Sequence, residues 1–404
     1  NNGALDIGAY SINGNSSSRT FTMRDGELIV RSQYPTNYLD NTFNAGRITF
    51  DGTGNSTIPS SNSTPGVDQY NDLKISGERS ANITFASQGN INISNTFSLS
   101  SLTFTGAPSQ RFQTDGSTVV FMKDGGTQDI PCKPAAPSDT IFNLQYFNVT
   151  IEGSGDKQLY SHAGNPLFIA QNNFELKSST FQTNGYNFEV QGDWVNSGGI
   201  FDPGNDAVIL RSPDLTYTNN LTSRDTSENP FNDLVIAGEG IVEPTDNTQI
   251  RGNLRIDTDA NLSLASTTAT LLGDWTNQGN TLDYGTSTVV MAGTVQQNMS
   301  KTSGNEEFYD IVIDNSDHVD ASNVGSTGDD AVIIHNLIEL PGGNLQNRGR
   351  NAIVYGNISR PGVSPGHIDG QLSKVVDTAD VSLTYEVGYR ESYTPMILDF
   401  EGTG

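Results

Sequence analysis

Cysteine is nearly missing from this chain. Among 404 residues Cys132 is the only one, which excludes an intrachain disulfide and any zinc site built from cysteine clusters. Avoidance of cysteine suits an exported protein, in which stray thiols oxidise. Basic residues are scarce too: 21 Lys and Arg stand against 46 Asp and Glu, a formal net charge of −25. Phosphate binding needs clustered Lys and Arg, so this balance excludes a nucleic-acid partner and disfavours anionic membranes. No apolar stretch approaches the roughly 20 residues of a transmembrane helix, so no membrane insertion is expected. The opening residues, Asn1-Asn2-Gly3, are not a signal peptide. For an exported protein, the signal is then expected to have been removed or to lie outside this sequence.

What is present is a dispersed apolar content. Only 34% of residues are hydrophobic and 42 are Gly, yet there are 18 Phe and 14 Tyr, more aromatic residues than a disordered chain carries. Helical periodicity is almost absent. Short alternating stretches take its place, such as Asn253-Leu254-Arg255-Ile256, Asn261-Leu262-Ser263-Leu264 and Asn187-Phe188-Glu189-Val190, punctuated by Gly, Asn, Asp or Ser. This is the period-two pattern of very short strands with one buried face.

Repetition is the strongest signal. One anchor reads Tyr70-Asn71-Asp72-Leu73-Lys74-Ile75 and returns, at nearly even intervals, as Tyr146–Ile151, Phe231–Ile236 and Phe308–Ile313. A second reads Gly192-Asp193-Trp194-Val195-Asn196 and Gly273-Asp274-Trp275-Thr276-Asn277, with a weaker echo at Gly356-Asn357. The repeating unit is therefore about 80 residues long, well above the length of a single supersecondary element. Within it apolar strands recur at roughly 18 to 20 residues, a step suited to one coil of a solenoid. About four such coils make one repeat. The predicted fold is therefore all-β: a right-handed parallel β-helix (β-solenoid) over residues 1–360. A small β segment over 361–404, either a cap or the start of a further β domain, follows the Pro- and Gly-rich run Ser359–Gly366. Gly and Asn are expected at corners of positive φ, with stacked Asn side chains bonded in ladders along the axis. Trp194 and Trp275 share one place in the repeat, which favours packing over sugar stacking. Ile130–Asp139, with Pro131, Pro134 and Pro137, reads as a loop.

The Phe-x-Asp-Leu-x-Ile and Gly-Asp-Trp-x-Asn signatures resemble repeats of large secreted surface proteins of Bacteroidota. So does the ending from Asp369-Gly370-Gln371-Leu372 through Glu386-Val387-Gly388 to Tyr393-Thr394-Pro395, although Glu386 stands where that group usually has Pro. The resemblance covers about residues 45–404. It implies export by the type IX system and an adhesin-like role, including in gliding motility. It also implies a C-terminal export domain that this sequence does not display, as in a fragment or trimmed product. Asp139-Thr140-Ile141 and Asp377-Thr378-Ala379 resemble the O-glycosylation motif of that phylum, and Asn82-Ile83-Thr84 and Asn220-Leu221-Thr222 are N-glycosylation sequons.

Catalytic patterns are thin. Gly362-Val363-Ser364-Pro365-Gly366 fits Gly-x-Ser-x-Gly, but Pro365 has no N–H to serve an oxyanion hole. His162, His318, His335 and His367 are scattered, and Asp317-His318-Val319-Asp320 and Asp329-Asp330 read as solvated turns. A β-helix polysaccharide lyase or hydrolase needs paired carboxylates or a basic residue in a groove. Arg211, Arg251, Arg255, Lys301, Arg348 and Arg350 form no such pattern. A lone Thr103-Phe104-Thr105 is not the array that ice binding requires. No catalytic or cofactor residues are assigned, and no metal ligands can be, although a structural Ca2+ is compatible with so acidic a surface. The expectation is a non-enzymatic, extracellular, cell-surface structural or adhesive module that binds a surface or glycan target. It would self-associate head to tail or join further domains of its own polypeptide. The alternatives are a glycan-binding module and a polysaccharide-degrading β-helix enzyme.

Overall fold

The computed structural model of the chain describes residues 3–8, 10, 12–13, 20–31, 34, 40–63, 66–105, 112–114, 116–132, 144–160, 167–224, 229–279, 281–375 and 381–400. Among these there is no helix, and parallel sheets stack as a β-solenoid of about 14 turns. The chain divides into two compact units, Asn1–Asp206 and Ala207–Gly404.

In unit 1 one side of the coil is built by Asp40–Phe50, Gly66–Ile75, Asn90–Ser98, Thr118–Phe121, Asn148–Ile151, Phe174–Leu176 and Trp194–Asn196, each parallel to the last. Other sides carry shorter ladders, such as Thr127–Pro131, Asp156–Tyr160, Thr180–Gln182 and Ile200–Asp202. Alternate residues of each strand point inward, and aromatic rings fill the interior. Tyr146 stacks on Phe168 at 5.2 Å, and Phe168 meets Phe188, and Phe174 Trp194, in tilted pairs at 4.8 Å. The tyrosines that begin two anchors have a second duty. Tyr70 and Tyr146 each donate a buried hydroxyl to a proline carbonyl, of Pro59 at 2.9 Å and Pro131 at 2.7 Å. Of the segment Ile130–Asp139 expected to loop out, Ile130 and Pro131 instead end the strand Thr127–Pro131, Ile130 and Cys132 are buried, and residues 133–139 lie outside the described ones. Pro131 is tolerated because its strand ends the ladder and owes no N–H to a further neighbour.

Unit 2 begins with three-sided coils. One side is Thr218–Thr222, Ile241–Pro244, Asn261–Ser263 and Thr281–Asp283, and Thr281–Asp283 ends that sheet. Beyond it the coils feed only the other two sides, and their strands lengthen, to Glu306–Ile313, Ala331–Glu339 and Asn344–Val354. Asn344–Val354 pairs with strands of both sides. Ile368–Lys374 continues the parallel ladder. Among the described residues antiparallel pairing appears only afterwards, between Val381–Tyr385 and Met396–Phe400 and between Gly388–Tyr389 and Ser392–Tyr393. This last segment is pinned to the coils by Lys374–Glu386 (2.8 Å), by the Arg390 N–H donated to Asp369 Oδ2 (3.3 Å) and by the Arg360 guanidinium 3.4 Å above the Tyr393 ring.

The coils are longer and less even than the sequence pattern suggested. In unit 2 one column of register partners steps from Leu234 to Leu254, then to Trp275, then to Met299. In unit 1 a single step runs all the way from Val119 to Val149. Two signatures that look separate in sequence therefore share one corner. Asp233, Asn253, Asp274 and Asn298 precede the four residues of the unit 2 column. The Oδ1 of each accepts the backbone N–H of the next, at 2.7, 2.8 and 2.7 Å. Unit 1 repeats the device with Asn148, Asn173 and Asp193, at 3.1 and 2.9 Å. The expected ladder exists, with carboxylates alternating among the amides and backbone N–H groups as donors. Glycine at this corner serves close approach, not positive φ: a Cβ on Gly252 would overlap Asp233 Oδ1, and one on Gly273 the Gly252 carbonyl.

Candidate functional site

The motifs that stand out in the sequence are mostly spent on architecture. Trp194 and Trp275 are fully buried, so neither offers a face to a sugar. Ser364 sits in an exposed bend with no helix after it, so the strand-to-helix elbow that the Gly-x-Ser-x-Gly pattern requires is absent there. His318 Nδ1 lies 2.6 Å from Asp317 Oδ1, and Asp320 Oδ1 accepts the Ser322 N–H at 2.8 Å. Asp330 Oδ2 accepts the N–H groups of Ser326 and Thr327, at 2.7 and 2.8 Å, and these bonds hold its carboxyl below the usual range. Asp329-Asp330 is thus the self-satisfied turn expected, whereas His318, Val319 and Asp320 belong to the strand His318–Val324, which the run of polar residues disguised in sequence. The basic residues serve locally as well: Arg255 meets Asp257 at 2.6 Å, Lys301 meets Glu306 at 3.3 Å, and Arg350 donates to backbone carbonyls at Gly325 and Thr327. Among the described residues no group of three or more His, Cys, Asp and Glu is arranged to hold a metal ion. His162 and the two O-glycosylation motifs lie outside the described residues. Of the sequon asparagines, Asn220 is exposed.

Cys132 is a core thiol. Its Sγ donates to the Tyr160 carbonyl at 3.2 Å, and burial pushes its pKa up to about 12. A thiol held protonated in this way is not a nucleophile. His367 is also buried, and desolvation lowers its pKa.

A surface stack of rings runs across successive coils of unit 2. Tyr284 and His335 lie 4.6 Å apart and 18° from parallel, and His335 and Tyr355 lie 5.5 Å apart at 3°. Glu307 Oε2 is 2.9 Å from His335 Nε2. His335 is thus covered on both faces, while Tyr355, at one end of the stack, is 52% exposed.

A groove of about 360 Å3 lies on the outer side of Ile241–Pro244, Asn261–Ser263 and Thr281–Asp283. Sequence reasoning missed it, because no motif marks it. Alternation turns Val242, Leu262 and Leu282 into the core and leaves Ile241, Glu243, Asn261 and Asp283 facing outward. Parallel register then stacks them in columns: Ile241 beside Asn261, and Ser263 beside Asp283 with Glu243 one coil below. The Ser263 hydroxyl donates to Asp283 Oδ2 at 3.2 Å. Glu239 and Leu215 complete the rim. Leu215 is 71% exposed, and its turn is fixed from both sides. Asp214 Oδ1 accepts the Thr216 hydroxyl at 2.6 Å and N–H at 2.9 Å, bonds that lower the Asp214 pKa. Tyr217 N–H donates to the Asp214 carbonyl at 3.1 Å, and Ile241 N–H to the Tyr217 carbonyl at 3.0 Å. The lining thus combines aliphatic side chains, an amide, a hydroxyl and three carboxylates, with no basic and no aromatic residue. A smaller concavity of about 300 Å3 in unit 1 is lined by Asp25, Glu27, Arg47 and Asp72.

No protein-family model, no curated protein and no solved structure matches this chain.

Proposed function

We propose that the chain is an extracellular structural and adhesive module of a cell-surface protein or filament, serving attachment or surface motility. The observation that carries this reading is the corner ladder. The same bonds recur coil after coil in both units, so the sequence is invested in a repeated support. A catalytic site is singular, and its residues break a repeat instead of obeying it. The acidic, cysteine-poor composition and the resemblance of the anchors to Bacteroidota surface repeats support the same setting. Antibody labelling of intact, unpermeabilised source cells under the electron microscope tests it. Label along surface structures is the expected result, and label confined to the medium would overturn it.

One geometric feature favours a second reading, glycan binding or cleavage in the groove. Glu243 and Asp283 stand two coils apart with Ser263 between them, about 10 Å at the usual strand spacing. That is close to the roughly 6.5–9.5 Å that separates the carboxyl groups of inverting glycosidases. Incubation with acidic and neutral polysaccharides separates the cases. Cleavage lost in Glu243→Gln would establish an enzyme, binding without cleavage a lectin-like module, and neither is expected from the adhesive reading.

A further inference from the structure

We propose that the groove of unit 2 is a docking site for an extended, lysine- or arginine-bearing segment of a partner protein. The proposal deepens the adhesive reading and takes its setting from it. Three properties of the groove choose this occupant. Its apolar lining is aliphatic: Leu215 projects 71% exposed from a turn fixed by Asp214, and Ile241 lines the groove with it. A leucine held rigidly in water has no role in its own unit's core, and it offers hydrocarbon to a ligand. Next, the charges are all of one sign, with Glu239, Glu243 and Asp283 along the walls and no lining cation to neutralise them. Lastly, these carboxylates are spread along successive coils, and they do not converge as a metal site would.

Basic side chains fit this combination. A lysine or arginine lays its methylene stem along apolar surface and carries its charge to the tip, where a carboxylate can receive it. A segment running along the coil axis would meet carboxylates on more than one coil, so its basic residues would engage separate partners. Sugars fit less well, because no aromatic ring lines the groove to stack on a pyranose.

Fluorescence anisotropy on the purified full chain tests the proposal, with a labelled decapeptide of alternating lysine and serine as the probe. Saturable binding is expected, weakened about tenfold by Glu243→Gln/Asp283→Asn and about fivefold by the uncharged change Leu215→Ser, changes on the scale of one or two lost contacts. A control pair of exposed carboxylates that do not line the groove, Glu78→Gln/Asp329→Asn, should stay within about twofold of the parent. Equal weakening by the control pair, or no effect of Leu215→Ser, would reduce the binding to the general field of an acidic chain and overturn the proposal. So would absence of binding, or preference for a labelled amino-sugar oligomer over the peptide. Because the readout uses purified protein, such failure leaves the surface-labelling result, and with it the adhesive reading, untouched.

Discussion

Some side chains with ordinary solution chemistry are forced by the coil into unusual roles. Lys157 is fully buried, and its ammonium donates to the carbonyls of Lys123 at 3.0 Å and Gly155 at 2.6 Å, closing a turn from inside. Burial lowers its pKa from 10.5 to about 8, with Asp124 and Asp156 offsetting part of the effect. Between these values the unfolded chain binds a proton that the folded chain has released, so stability rises with pH across that window. Thermal melts should show this rise between pH 8 and 10.5 for the parent protein. Lys157→Met should melt lower and lose that part of the slope. Arg79, whose pKa burial also lowers, performs a comparable service, reaching the Phe50 carbonyl at 2.8 Å and Ser56 Oγ at 3.0 Å. None of this is legible in sequence, where Lys157 and Arg79 look like any surface cation. Only the register reveals that they point inward.

Among the elements, the corner ladder carries the clearest prediction. Asn253 accepts the Asp274 N–H and donates its own N–H to Asp233. Asn253→Ala would strand the Asp274 N–H and should cost about 1–2 kcal/mol, measured by chemical denaturation. Asn253→Asp preserves the acceptor but sets three carboxylates in succession at positions 233, 253 and 274. Coils about 4.8 Å apart make that repulsion strong. The loss should shrink in high salt, whereas the alanine loss should not. Alternation of Asp with Asn down this column is then a way of keeping like charges two coils apart. Strand type, parallel stacking and the existence of a ladder could all be read from alternation and repeated Asn and Gly. The equivalence of Asp233-Leu234 with Asp274-Trp275 could not. It depends on coil length, and the turns that set coil length vary freely in sequence. The groove was invisible for the same reason: Glu243, Ser263 and Asp283 are each a full coil apart along the chain and meet only through register.

For the whole molecule, charge sets the expectations. A formal −25 on 404 residues opposes compaction, because most of the carboxylates remain on the surface. Melting temperature should therefore rise as sodium chloride increases from low to physiological concentration and then level off as the Debye length falls below the spacing of neighbouring charges. A flat profile would mean that the acidic side chains are already neutralised by bound cations. Direct assay of bound metal in the purified protein would then test for the Ca2+ that the composition is compatible with. The sequence made the sign of this surface plain. It did not reveal where the acids gather, since that depends on which side of a coil each one occupies.

The mismatch between repeat and coil has a consequence for how such a chain lengthens. Leu234 stacks under Leu254, Trp275 and Met299, whereas Ile311, the equivalent of Leu234 one anchor later, stacks on Val289 of a different side. The stretch from one anchor to the next thus advances unit 2 by three coils and also carries the motif around to another side. Duplicating that block of unit 2 would therefore re-aim what lies beyond it as well as raise it, like the hand of a clock moved on, whereas the first two anchors, in Gly66–Ile75 and Asn148–Ile151, keep to one side of unit 1.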